Sequence, residues 1–140
     1  MATTPSFDLK KLVSTLADNL AAIHEAKKDG GFAIEVPLAG ERFQSVKLKV
    51  EKTPSGEVLR LVTRVTGLDI SDESSVAAWN GKSVFARVTL EDEGENGSVA
   101  VVTATLPASA ATLEHCKPVL LDVAKLGDAI EEELTGGDVD

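Results

Sequence analysis

"SVKLKVEKTPSGEVLRLVTRV", Ser45 to Val65, decides the fold class of this 140-residue chain. Val46, Leu48 and Val50 fall on one side of an alternation, and Lys47, Lys49 and Glu51 on the other. Successive side chains of a strand point to opposite faces, so this is a strand with one buried face. Pro54 and Gly56 in "TPSGE" supply a tight reversal. The alternation then resumes, with Leu59, Leu61 and Val65 in the core phase and Arg60, Val62 and Arg64 opposite. Such a hairpin belongs to an antiparallel sheet packed on one face and solvated on the other.

On the N-terminal side, Phe32, Ile34, Val36 and Leu38 alternate in "FAIEVPL" and add a third strand to the meander. Pro37 has no N–H to donate, which assigns it to a sheet edge or a strand end. Before it, Leu9, Leu12, Leu16, Leu20 and Ile23 recur at helical spacing over about residues 7–28. Ser6 is the expected cap, His24 a residue at the helix flank, and Gly30-Gly31 the stop. On the C-terminal side, Ser71 or Asp72 is expected to cap a short helix through "SSVAAW" that ends at Asn80-Gly81.

"SVFARVTLED" and "SVAVVTATLP" then make a second hairpin around a polar loop, ended by Pro107. The last helix starts near Ser109 or Thr112 and runs to about Leu134, with Leu113, Cys116, Leu120, Val123 and Ile130 as its apolar stripe. Pro118 predicts a kink or a later start. Residues from about 135 to 140 form a frayed acidic tail. The expectation is one α+β domain over residues 1–140, with a five-stranded antiparallel sheet and the order α-β-β-β-α-β-β-α.

The formal net charge of -9 argues against nucleic acid as a partner, because neutralising phosphates requires clustered Lys and Arg. Aromatics are scarce and tyrosine is absent, so the core is aliphatic. One cysteine, Cys116, excludes an intramolecular disulfide framework and points to a reducing compartment. The start "MATTPSFDLKK" has no basic stretch followed by an apolar one, and no run is long enough to cross a bilayer. A cytoplasmic location without membrane contact is expected.

Catalytic motifs fail one by one. His115 and Cys116 are neighbours on a helix and point about 100° apart, so they form no dyad. Aligning "DEGENGS" as a calcium loop on Gly97 puts Gly94 at the third ligand position and Thr103 at the twelfth, where a carboxylate belongs. Gly30-Gly31 and Gly136-Gly137 lack the lysine and third glycine of a phosphate loop. The "EEEL" run, Glu131 to Leu134, sits late in a helix, where the dipole disfavours acids unless a basic neighbour is near. No enzyme, cofactor or metal is expected. The surviving feature is cationic. Lys47, Lys49, Arg60, Arg64 and Arg87 share the non-core phase of neighbouring strands. They are either solvated residues beside Glu51 and Glu57 or a contact surface for an acidic segment, the chain's own tail or a partner's.

The segments "VLRLVTRVTGL", "AAWNGKSVFARVTLEDEG" and "VAVVTATLP" leading into "LLDVAKLGDAIEEEL" resemble the type III secretion chaperone-like fold. Within that fold the chain is most similar to the YbjN family of bacterial sensory or stress-associated proteins, over nearly its whole length. The resemblance implies a domain that is often dimeric and has no catalytic residues. Chaperones of this fold hold a partly unfolded client segment and dimerise through the short middle helix and adjacent strand, here "SSVAAW" with "VFARVTL". Trp79 is then either a core wedge between that helix and the sheet or the anchor of a dimer or client contact. The functional expectation is a non-enzymatic, chaperone-like protein-binding domain; the alternative is a YbjN-type regulatory or stress-response domain without a dedicated client. The expected partner is a protein segment or a second copy in a homodimer. The contact residues are Trp79, Phe85, Lys47, Lys49, Arg60, Arg64 and Arg87.

Overall fold

The structure, a computed structural model, describes residues 8–65, 78–92 and 98–134. Within them the chain runs α1 (Leu9–Leu20), β1 (Ile23–Ala26), β2 (Phe32–Pro37), β3 (Phe43–Thr53), β4 (Gly56–Val65), β5 (Arg87–Asp92), β6 (Ser98–Pro107) and α2 (Leu113–Leu134). The sheet is six-stranded, antiparallel at every pairing, and ordered β1-β2-β3-β4-β6-β5. The class is the expected α+β, with one strand more than the five predicted.

The additional strand comes from the C-terminal part of the predicted first helix, which stops at Leu20. Asp8 caps its start by accepting the Lys11 N–H at 3.1 Å, while Ser6 lies outside the described residues. At the other end Ala21 takes the left-handed conformation, and the N–H groups of Ala21 and Ala22 reach back to the carbonyls of Asp18 and Ala17. This closes the helix as glycine usually does, but with an alanine that carries no stop signal. β1 then pairs along β2 from Ile23↔Glu35 to Ala26↔Phe32. Ile23 is therefore 75% exposed on a strand instead of closing a helical stripe, and His24 also sits on β1. Gly30 and Gly31 form the reversal between β1 and β2. β1 pairs β2 only as far as Glu35, so Pro37 ends β2 beyond the cover of β1.

The second hairpin is flipped so that β6 lies inside and β5 at the edge. Composition explains the order. On β6, Ala100, Val102 and Ala104 are buried and so are Val99 and Val101 of the opposite phase, whereas β5 buries Val88 and exposes Arg87, Thr89 and Glu91. A strand apolar on both faces belongs in the middle of a sheet. β5 begins at Arg87, four residues later than the alternation from Ser83 predicts.

α1 packs on β2 and β3 and against α2, and α2 lies over β3, β4 and β6. Both helices thus cover one face of the sheet. The core comprises Leu12, Val13 and Leu16 of α1, the inward residues of the strands, and Cys116, Leu120, Val123 and Ile130 of α2. α2 starts where Thr112 accepts the His115 N–H on its hydroxyl, so Pro118 lies inside the helix without delaying it. Pro118 has no N–H for the Glu114 carbonyl, and both residues are exposed. Residues 78–80 are helical and end in a turn in which Lys82 N–H bonds the Trp79 carbonyl at 3.0 Å. Ser71, Asp72, most of "SSVAAW", the loop 93–97 and the tail 135–140 lie outside the described residues.

A buried polar pair lies under α2. Gln44 donates to Thr63 Oγ1 at 2.8 Å, and Thr63 donates to the Ser45 carbonyl at 2.7 Å. Gly127 of α2 stands directly over it, and a Cβ there would fall 2.6 Å from Thr63 Cγ2. Among the described residues, no helix is long and apolar enough to cross a membrane.

Candidate functional site

The strand register assembles the predicted cations on the face away from the helices. Lys49 lies opposite Arg60, which lies opposite Thr105; Lys47, Val62, Thr103 and Arg87 form a second row across four strands. Most of these charges are already engaged. Lys47 hydrogen-bonds Asp29, and Lys49 Nζ lies 3.6 Å from the same carboxylate. Arg64 reaches Glu91 at 2.9 Å, and Arg60 Nε lies 3.2 Å from Glu51. Lys47 and the Gly31 N–H hold the Asp29 carboxyl well below its ordinary range, at about 2. Exposed pairs of this kind contribute little to stability, because water screens them. Arg87 is exposed and makes no ion pair among the described residues. The central strip is thus laced by acids, and its free positive charge lies at the β5 end.

Trp79 is 2% exposed and belongs to the main core together with Val88 and Ala100. The next residue guards the sheet edge. Asn80 Oδ1 accepts the Val88 N–H at 2.6 Å, and its Nδ2 donates to the Val88 carbonyl at 3.1 Å. The side-chain amide stands in for a neighbouring strand at this point of the edge.

Between Asn80 and β5 the chain turns through an exposed tip. Asp122 of α2 accepts from the Ser83 hydroxyl at 2.5 Å, the Phe85 N–H at 2.9 Å and the Ala86 N–H at 3.0 Å, all on Oδ2. Hydrogen bonds to an ionised carboxylate are the stronger kind. Clamped in this way, the tip holds Val84 83% exposed and Phe85 52% exposed. Phe85 was among the predicted contact residues; Asp122, which positions it, was not. No local pattern could have found it, since 36 residues separate it from Ala86.

A groove of about 260 Å³ opens beside the tip. Phe85, Leu106, Pro118 and Val119 make its apolar walls, and Thr105 and His115 supply polar groups. It lies where β6 continues past the start of β5, under the first turns of α2.

Of the remaining chemical candidates, His115 belongs to the groove lining and Cys116 does not. Burial pushes the Cys116 thiol up to about 11, so it is not a thiolate at neutral pH. His115 is exposed, with Nδ1 3.2 Å from the Thr112 hydroxyl. Glu132 and Asp128 flank Arg42 at 2.5 and 2.9 Å, which supplies the basic neighbour that the acidic helix end called for. Among the described residues, no three His, Cys, Asp or Glu are grouped as metal ligands.

No protein-family model matches the chain, and no curated protein matches it in sequence. Among solved structures, it is similar to the crystal structure of YbjN from E. coli, a candidate transcription regulator. The superposition covers 95% of this chain and 96% of that one, with a TM-score of 0.58 and 13% sequence identity. At that identity the match speaks to backbone architecture and not to the role of any side chain. The chain has a YbjN-like α+β fold.

Proposed function

We propose that this chain is a non-enzymatic protein-binding domain of the cytoplasm that holds a partner segment against the Val84–Phe85 tip and the groove behind it. The observation that carries this reading is the clamp. Three donors of the tip converge on one Asp122 oxygen, and the outcome is two large apolar side chains held in water. A rigid, exposed aromatic beside an apolar groove has the features of an interface anchor, which loses little conformational freedom on binding. Of the seven expected contact residues, Phe85 and Arg87 remain presented to a partner. Trp79 supports the site from the core, and Lys47, Lys49, Arg60 and Arg64 have acidic partners within the chain. The partner is a client segment or a second copy of the chain.

The test is capture from the native cytoplasm by the parent chain and by a Val84→Ser, Phe85→Ser variant. Both positions are exposed, so thermal unfolding should change little while a dominant stoichiometric partner, or the dimer in sedimentation, is lost. Equal capture by the two proteins removes the tip from the interface. A second reading draws on the likeness to YbjN: a regulatory domain without a dedicated client. With a net charge of -9, regulation of that kind would run through protein contacts and not through DNA. Absence of any enriched partner would favour it.

A further inference from the structure

The floor of the groove is a stretch of β6 that β5 does not reach. The β5–β6 ladder ends at Arg87↔Thr103. Val88 gives both backbone groups to Asn80, so they point away from β6, and the alternation of antiparallel pairs makes Arg87 and Thr103 the last residues to exchange bonds. The same alternation turns the N–H and C=O of Thr105 toward the β5 side, where no described strand lies opposite. Asp122 is the cause, since it draws Phe85 and Ala86 away toward α2. Thr105 is exposed and lines the groove.

Two arginines border this gap. Arg60 lies directly opposite Thr105 on β4, one strand spacing of about 4.8 Å away. Arg87 lies opposite Thr103, which is two residues or about 7 Å from Thr105 along β6. Arg60 Nε is close to Glu51 but has no aligned hydrogen-bond partner, and Arg87 has no ion pair among the described residues. Arg60 shares its charge with Glu51, so the cation left free beside the gap is Arg87. Strand addition farther along the same edge meets Asn80, which already fills the position beside Val88.

Building on the protein-binding reading above, we propose that the groove takes a short, extended, acidic peptide segment. One apolar side chain of the segment packs against Phe85 and Val119. Flanking carboxylates meet Arg60 and Arg87, and the Thr105 backbone bonds the segment's main chain. Recognition of this kind combines main-chain hydrogen bonds with a side-chain pocket and complementary charge.

The test is selection of a phage-displayed random twelve-residue library on the immobilised full chain at low salt, followed by anisotropy titration of the recovered peptides. Asp or Glu should bracket a Leu, Ile, Phe or Met. Arg87→Glu alone should weaken binding about tenfold, and Arg60→Glu with Arg87→Glu further still. Arg87 is exposed and makes no ion pair among the described residues, so its reversal leaves the fold intact. Peptides without an acidic bias, a change under twofold on Arg87→Glu, or no enrichment over an uncoated support each overturn the proposal. Peptides lost on Phe85→Ser but indifferent to the arginine reversals overturn the acidic assignment alone. Peptides indifferent to all three substitutions overturn the protein-binding site with it.

Discussion

Gly127→Ala sets helix propensity against packing, and the structure decides the sign. In an isolated helix the change would stabilise by about 1 kcal/mol, because glycine loses more backbone freedom than alanine. Here the added Cβ would sit 2.6 Å from Thr63 Cγ2 and 3.2 Å from Gln44 Nε2. Thr63 cannot simply turn its methyl aside. Its hydroxyl is fixed by Gln44 at 2.8 Å and the Ser45 carbonyl at 2.7 Å, and the residue is 2% exposed. Either α2 lifts off the sheet, an overpacking that costs about 1–3 kcal/mol, or the buried hydrogen bonds break, at about 1–3 kcal/mol for the polar groups left unsatisfied. After subtracting the propensity gain, the expected net loss is about 1 kcal/mol. With an m-value of about 2 kcal/mol/M, that lowers the urea midpoint by about 0.5 M. Trp79, the single tryptophan, is buried and reports the transition by fluorescence. Thr63→Ser keeps the hydroxyl and removes the methyl, so it should restore most of the loss in the Gly127→Ala background. A Gly127→Ala midpoint at or above the parent's, or a double-mutant cycle with no coupling between the two positions, refutes the reasoning.

Asp122→Ala removes the acceptor of three donors, and the expected loss is about 2 kcal/mol, given that single bonds to a charged group are worth about 1.5–3 kcal/mol. Amide exchange at Phe85 and Ala86 should accelerate, and unchanged protection there argues against the clamp. Asp29, whose carboxyl is held at about 2 by Lys47 and Gly31, favours the folded state fully above its ordinary value of 3.8 and loses that effect as pH falls through about 2. A carbon NMR titration of the Asp29 carboxyl with its midpoint near 4 would contradict this, and Asp29→Asn should flatten the acid limb of stability. Cys116, buried with its thiol pushed up to about 11, should react with a thiol reagent at pH 8 at least a hundredfold more slowly in the folded chain than in urea. Comparable rates would place the sulfur at the surface.

The class of this fold was legible because its signals are short-ranged. The alternation of Val46, Leu48 and Leu61, and the α2 stripe through Cys116, Leu120 and Ile130, follow from strand and helix geometry alone, and each residue is buried. The end of α1 was not legible, because "LAAIHEA" continues a helical spacing and only pairing with β2 draws Ile23–Ala26 into a strand. Nor did the sequence mark which cations stay free. Lys47 meets Asp29 and Arg64 meets Glu91 through register and turns, at separations that no periodicity links. Phe85 could be nominated as a contact from its neighbourhood. Its exposure depends on Asp122, and the gap beside Thr105 depends on where that carboxylate stops β5. Local patterns thus determined which elements form and which faces they bury. Tertiary structure decided the strand that completes the sheet, the pairing of its charges and the groove, because each depends on groups distant in sequence meeting within a few ångströms.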